Sequence, residues 1–248
     1  MGNAILIGGQ KGGTGKSTIA TNLAVMSALM GHDTLIIDTD TKQFNAAKFI
    51  HHRQELGIEP TPSSIRLTGK IKQDIESQAR RFKRVIIDAG GRDSIELRFA
   101  MTAECVSIML SPWKTGEFDL ETIEVVDDLV LGAQSINPNL EAYAIFTHVN
   151  NHPKDSLHED AKTLLESFPN IKLCNIPLHY RVAYMSHASQ ALSLVEYEKR
   201  TLMNQPSYRI KPPKASLEMC QLYNFVFKEK FEDDFLNRFM PSCEVKNG

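Results

Sequence analysis

The stretch Gln10-Lys11-Gly12-Gly13-Thr14-Gly15-Lys16-Ser17-Thr18 decides how this chain is read. A loop that wraps a triphosphate needs residues without a Cβ, so that consecutive backbone N–H groups can turn inward onto the oxygens, and Gly12, Gly13 and Gly15 supply them. Lys16 is then placed to reach the β- and γ-phosphates and the Ser17 hydroxyl to ligate Mg²⁺, with Thr14 and Thr18 completing the cradle. The flanks agree. Ala4-Ile5-Leu6-Ile7 is a short apolar strand, and Ser17 to Met30 has helical periodicity, so a helix N-terminus points at the phosphates. The alternative, a glycine-rich turn beside a surface lysine, does not explain why strand, loop and helix follow in that order.

The strict pattern G-x-x-x-x-G-K-[ST] is not met, because Gln10 stands where its first glycine belongs. What stands instead is x-K-G-G-x-G-K-[ST], the deviant Walker A form in which a second lysine, Lys11, precedes the paired glycines. In this the chain resembles the ParA/MinD family of dimerising ATPases. The resemblance implies that Lys11 crosses a dimer interface to the partner's nucleotide.

Outward from the loop, strands and helices alternate. Thr34 to Asp38 reads as a strand, about Phe44 to Leu56 as a helix, Ile65 to Leu67 as a strand, Gly69 to Phe82 as a helix and Arg84 to Asp88 as a strand. Further strands are expected at Val106 to Leu110, Ala142 to Thr147 and Ile171 to Ile176, with helices at Phe118 to Gly132 and Ser156 to Phe168. Thr201 to Pro213 reads as an extended loop before a last helix from about Ala215 to Met240. The pattern predicts an α/β fold with a mostly parallel twisted sheet flanked by helices on both faces. With the resemblance, it becomes a P-loop NTPase of the deviant Walker A class. One domain is expected over residues 1–248, its C-terminal helix (about 214–240) packed on it or used for a partner.

Ligands of such sheets bind at the carboxyl ends of the strands, where Lys16, Asp40 and Asp88 would gather. Asp38-Thr39-Asp40 matches the D-x-D that follows the second strand in the ParA family. The resemblance implies that Asp40 orients or activates the attacking water and that Asp38 supports the site near Mg²⁺. Phosphoryl transfer asks mainly for positioning and charge neutralisation, which a carboxylate beside the γ-phosphate can supply. The family continues with Pro-Gln; this chain has Thr41-Lys42-Gln43. Phe49 and Arg53 stand four apart on the next helix, as an aromatic and an arginine do in small ParA proteins.

Val85-Ile86-Ile87-Asp88 followed by Ala89-Gly90-Gly91 is a Walker B type end, with Asp88 expected to hold Mg²⁺ through water and the Gly90-Gly91 backbone to swing with the γ-phosphate. The run from Asp88 to Ser94, with Glu96-Leu97-Arg98 after it, closely resembles the small ParA subgroup, as does Pro112 followed by Phe118-Asp119-Leu120. Leu178 to Glu196 is similar to a further family segment. By that similarity the loop Ile176-Pro177-Leu178 lines adenine and Thr147 stands at the family's base-reading position.

At 248 residues with 42% hydrophobic side chains a full core is available. Cys105, Cys174, Cys220 and Cys243 form no C-x-x-C pair, which argues for a reducing compartment and against zinc or a bridging iron–sulfur cluster. No basic stretch precedes an apolar core at the N-terminus, so a cytoplasmic protein is expected. His51-His52 and His148 with His152 lack a third ligand at metal spacing, and Trp113 reads as packing or an interface anchor.

Two stretches are basic in a chain of net charge −2: Arg80 to Arg84, and Lys199, Arg200, Arg209, Lys211 and Lys214 in a segment without acids. A solvated face is one reading. The other is that dimerisation doubles Arg200, Arg209, Lys211 and Lys214 into a stripe that neutralises DNA phosphates without regard to sequence. Phe227, Phe231, Phe235 and Phe239 recur every four residues, but neighbouring Glu229, Glu232, Asp233 and Asp234 suit an anionic membrane poorly, which favours a core- or partner-facing stripe. The resemblance as a whole implies a DNA partition ATPase using ATP and Mg²⁺. Its ATP-bound homodimer would bind DNA non-specifically and associate with the nucleoid, and a ParB-like centromere-binding adaptor would stimulate hydrolysis and release. The alternatives are a MinD-like ATPase positioning a protein cargo or division site at a membrane, and a P-loop ligase that activates a carboxylate.

Overall fold

The computed structural model describes residues 3–9, 11–91, 93–114, 120–150, 157–205 and 211–238. Seven strands form one sheet in the order β3-β2-β4-β1-β5-β6-β7, and every pairing is parallel. They are β1 Ala4–Ile7, β2 Thr34–Asp38, β3 Ser63–Arg66, β4 Arg84–Asp88, β5 Val106–Lys114, β6 Glu141–Val149 and β7 Ile171–His179. The central strands are unbroken apolar runs because helices cover both faces. Alternation sorts their side chains. Ile5, Ile7, Ile36 and Ile86 enter one core, and Ala4, Leu6, Leu35, Ile37, Val85 and Ile87 enter the other.

The first core is closed by α1 (Lys16–Leu29), α2 (Asn45–Glu55), α7 (Val182–Ser186), α8 (Leu194–Met203) and α9 (Lys214–Phe227). The second is closed by α3 (Lys72–Ala79), α4 (Ile95–Met101), α5 (Leu120–Gln134) and α6 (Leu157–Leu165). Strand order reverses around β1, whose neighbours are β4 and β5, and such a switch point opens a crevice at the carboxyl ends. Register then aligns the chemistry. Ile7, the last residue before the glycine loop, pairs with Asp88, and Asp88 pairs with Asp38.

The alternating pattern is borne out, with local differences that have physical causes. α3 is shorter than Gly69 to Phe82 because Gly69 lies at φ 81° in a turn and the chain becomes helical only after Ile71. β3 starts two residues before the expected Ile65. Helix α4 was not expected; Ser94 caps it, its hydroxyl accepting from the Leu97 N–H at 3.1 Å. Helix α8 runs through Thr201 to Met203, which the sequence reading assigned to a loop, and it begins with a reciprocal capping box between Ser193 and Glu196. Phe118 and Ser156, the expected starts of two helices, lie outside the described residues.

The C-terminal helix is the largest correction. It ends at Phe227, not near Met240, because Lys228 adopts a left-handed conformation with φ 52° and the chain folds back. The Phe231 N–H then donates to Asn224 Oδ1 at 2.7 Å. Glu229 meets Arg84 at 2.7 Å and His32 at 2.9 Å. Phe227, Phe231 and Phe235 are all buried in the first core, reached by a helix end and a return loop, not by one helical stripe. Phe239 lies outside the described residues. Trp113 is buried in the second core, as a packing residue should be.

Candidate functional site

A cleft of about 620 Å³ opens at the carboxyl ends of β1, β2, β4, β6 and β7. Its floor is the glycine loop. Gly13 at φ 72° and Gly15 at φ 94°, the residue that caps α1, hold conformations that side chains with a Cβ disfavour, and they turn the chain so that the first amides of α1 face the cleft. Ser17 and Thr18 line it, while Thr14 is buried beneath. Lys16 is only 8% exposed, and its Nζ donates to the Lys11 carbonyl at 2.5 Å. Burial lowers the Lys16 pKa, and the charges of Asp88 and Asp40 oppose that shift. A Cβ on Gly91 would stand 2.9 Å from both the Lys11 carbonyl and Lys16 Nζ, so the loop after β4 sits against the glycine loop with no room for a side chain.

The three aspartates play distinct parts. Asp38 is fully buried and ties its own loop together, Oδ1 accepting from the Asp40 N–H at 3.0 Å and Oδ2 from the Ala47 N–H at 2.9 Å. Burial raises its pKa. Asp40 lines the cleft beside Gly90, and one oxygen, Oδ1, accepts from the amides of Lys42 and Gln43 at 3.0 and 3.2 Å. Asp88 is buried, and neither carboxylate oxygen has a hydrogen-bond partner of good geometry. Burial pushes its pKa up to about 7, opposed by the Ser17 hydroxyl and the Lys16 charge and assisted by Asp38 and Asp40. A buried carboxylate with no well-formed hydrogen bond, close to a serine hydroxyl at the phosphate end, is a donor set that fits a hydrated divalent cation.

The opposite wall comes from β6, β7 and α7: Thr147, His148, Leu178, His179, Tyr180, Arg181, Tyr184 and Met185. Pro177, expected to line adenine, is not part of the cleft lining; the residues just after it are. The Thr147 hydroxyl lies 3.0 Å from the Thr14 carbonyl and 3.2 Å from that of Trp113, so its proton serves the glycine loop and β5.

In the sequence Arg53 stands out only by its spacing from Phe49. It is fully buried and donates to both carboxylate oxygens of Glu196 at 2.6 and 2.8 Å, to the Pro60 carbonyl and to the Ala191 carbonyl. It thereby joins α2, which follows the Asp40 turn, to the start of α8, while the Asn22 side chain of α1 accepts from the Leu194 N–H at 2.7 Å. Glu96, named in the sequence only as part of the run after Asp88, and Glu218, which carries no motif, both contribute to the cleft walls. Glu96 lines the cleft and accepts from the Gly69 N–H at 2.8 Å. Glu218, on α9, bonds His179, Arg181 and Tyr184 of the far wall.

Arg200, Lys211 and Lys214 are exposed, and Arg209 lies outside the described residues. The basic segment has no acid in sequence, but folding brings Asp233 to Lys199 at 3.0 Å and Glu229 to Arg84. His51 is exposed and His52 half-buried beside Glu55, and among the described residues no cluster of histidine, cysteine or carboxylates suits a metal by itself. His152 lies outside the described residues. Among the described residues no helix is long and apolar enough to cross a membrane.

The fold is shared with McdA of Cyanothece in its apo form (TM-score 0.64, 15% identity over 88% of this chain and 98% of that one). It is also shared with cobyrinic acid a,c-diamide synthase of Mycobacterium smegmatis with bound ADP and magnesium (0.60, 16%, 86% and 98%). A third is a putative plasmid partition protein of Borrelia burgdorferi bound to AMPPNP (0.58, 16%, 92% and 100%). No curated protein matches the sequence significantly. Residues 5–194 match the sequence model of the CobQ/CobB/MinD/ParA nucleotide binding domain, and the chain belongs to that family.

Proposed function

We propose that this protein is a partition-type ATPase that binds MgATP in the cleft, closes as a homodimer and binds duplex DNA non-specifically until hydrolysis releases it. The observation that carries the reading is the buried, aligned pair Asp38 and Asp88 beside the strand that leads into a glycine loop bearing both Lys11 and Lys16. The loop amides and Lys16 hold the phosphates, and Asp40, one oxygen fixed by its turn, orients the attacking water with the other. Ser17 and, through water, Asp88 would hold Mg²⁺, which neutralises phosphate charge when bound. Lys11 supplies a further cation at the partner's phosphates. Family relatives that bind ADP with magnesium or AMPPNP support the ligand class. A ParB-like adaptor on the cargo stimulates turnover.

DNA contact falls to the exposed Arg200, Lys211 and Lys214, with Arg209 nearby in sequence. Burial of Phe227, Phe231 and Phe235 withdraws the apolar stripe that a membrane-seeking helix would need, which favours DNA over a membrane surface. The test is binding to nonspecific duplex DNA with ATP, with ADP and without nucleotide at two salt concentrations. Binding only with ATP and steeply weakened by salt is the expected result. No binding in any state would transfer the reading to a protein- or membrane-positioning ATPase.

A further inference from the structure

Helix α9 lies beyond the residues that the family match covers, yet one of its side chains organises the far wall of the cleft. Glu218 is 8% exposed and collects five donors. Its Oε1 accepts from His179 Nδ1 at 2.8 Å, from Arg181 Nε at 2.9 Å and from a second Arg181 nitrogen; its Oε2 accepts from the His179 N–H at 3.2 Å and the Tyr184 hydroxyl at 3.3 Å. His179, Arg181 and Tyr184 all line the cleft, away from the phosphate loop.

We propose that Glu218 is a positioning residue that sets base selectivity through His179. The proposal rests on the cleft binding a nucleoside triphosphate. A carboxylate only accepts, so the His179 Nδ1 facing it carries the proton. In the neutral ring Nε2 is then the lone-pair nitrogen, and it lies on the ring edge away from Glu218 in a side chain that borders the cleft. An acceptor held there rewards a purine with an amino group at C6 and repels one with a carbonyl, as adenine and hypoxanthine differ. Thr147 leaves this task open, since its hydroxyl proton serves backbone carbonyls.

The test is calorimetric titration of the full chain with MgATP and MgITP, whose bases differ in the C6 substituent, amino against carbonyl, and with it in N1, a lone-pair acceptor in adenine and an N–H donor in hypoxanthine. The wild type is expected to favour ATP about tenfold or more, the worth of one well-made hydrogen bond against an unpaired acceptor. His179→Phe keeps a ring but removes the acceptor and should bring the ratio near one. Glu218→Gln removes the charge that holds the proton at Nδ1 and leaves an amide oxygen, a weaker acceptor shared with Arg181, in its place; it should lower the ratio about threefold or more, a partial loss of one hydrogen bond. Glu198→Gln also disturbs α9, since Glu198 accepts from the Ser216 N–H and hydroxyl at 2.8 and 2.7 Å; its charge reaches Arg181 and Tyr184 through space but its bonds do not run to His179, so it should leave the ratio intact. A wild-type ratio near one overturns the proposal, and so does an undiminished ratio in His179→Phe, which decides the matter even where Glu218→Gln fails to fold. An undiminished ratio in folded Glu218→Gln removes Glu218 from the role. Failure of the wild type to bind either triphosphate instead overturns the nucleotide reading of the cleft.

Discussion

At the end of the cleft proposed for the phosphates the available groups are backbone amides freed by Gly12, Gly13 and Gly15, whereas the end proposed for the base is a set of side chains held by one carboxylate from α9. The first needs only consecutive residues. The second needs contacts between residues 34 to 39 positions apart, with α8 intervening. The contrast bears on energetics too. Backbone cradles are rigid before the ligand arrives, while an ion-pair cluster holds its geometry only as long as every partner stays. Changes at the phosphate end should therefore cost binding and spare the fold, and changes to the ion pairs should do the reverse.

The largest effect on ligand binding is expected from Lys16→Ala. It removes the ammonium nearest the phosphates and should weaken MgATP binding about a hundredfold or more by calorimetry, roughly the worth of one or two charge-assisted hydrogen bonds. Thermal stability should not fall, because burial already opposes the Lys16 charge. A large loss of stability would break the contrast, since it would mean that the phosphate end also holds the fold.

Arg53→Met tests the opposite case. The variant strands Glu196 beside a buried hole, and breaking such a pair costs about 3–5 kcal/mol. Denaturant melts should report that loss. Arg53→Met with Glu196→Gln should recover part of it, the double-mutant cycle isolating the pair. Full additivity of the two changes would mean that the bidentate bond contributes nothing.

How much was legible follows the same division. The glycine loop, Asp38, Asp40 and Asp88 could be read because each sits at the end of an apolar strand whose register the alternation fixes. Helix α8 could have been read, since Ser193-Leu194-Val195-Glu196 is a capping box in plain sight. The overlong last helix came from a true periodicity: phenylalanines four apart do share a core, but Lys228 in the left-handed region and the Glu229 clamp on Arg84 turn the chain between them. Glu218 carried no local signal. Its partners lie on β7 and α7, and only the packing of α9 against that edge of the sheet makes them neighbours.

Asp88 sharpens the comparison, because there the phosphate end opposes folding most plainly. Its pKa is about 7 in the folded chain against about 3.9 unfolded, so between those values the folded state binds more protons. Stability from this group is greatest below pH 4, falls as pH rises towards 7 and is level above. Asp88→Asn should therefore raise the stability of the nucleotide-free protein by about 2 kcal/mol at pH 8, less than the roughly 4 kcal/mol that three pKa units represent, since the amide keeps polar atoms to satisfy. The gain should vanish near pH 4. The same variant should lose the extra stabilisation that Mg²⁺ adds to ATP. Equal stability of the two proteins at pH 8 would mean that Asp88 has solvent or partners enough to ionise freely.

The smallest effect belongs to the base end. Tyr184→Phe deletes the weakest of the five donors to Glu218, at 3.3 Å, and should cost about 0.5–1 kcal/mol of stability, the net worth of one hydrogen bond. The lost partner also relaxes Glu218, so the preference for ATP over ITP should narrow by less than in Glu218→Gln. The order of the two readouts matters more than their size. If the preference narrows while affinity for inorganic triphosphate stays fixed, the two ends of the cleft are independent. If both fall together, the carboxylate on α9 reaches the glycine loop as well, through Thr147 and its bond to Thr14.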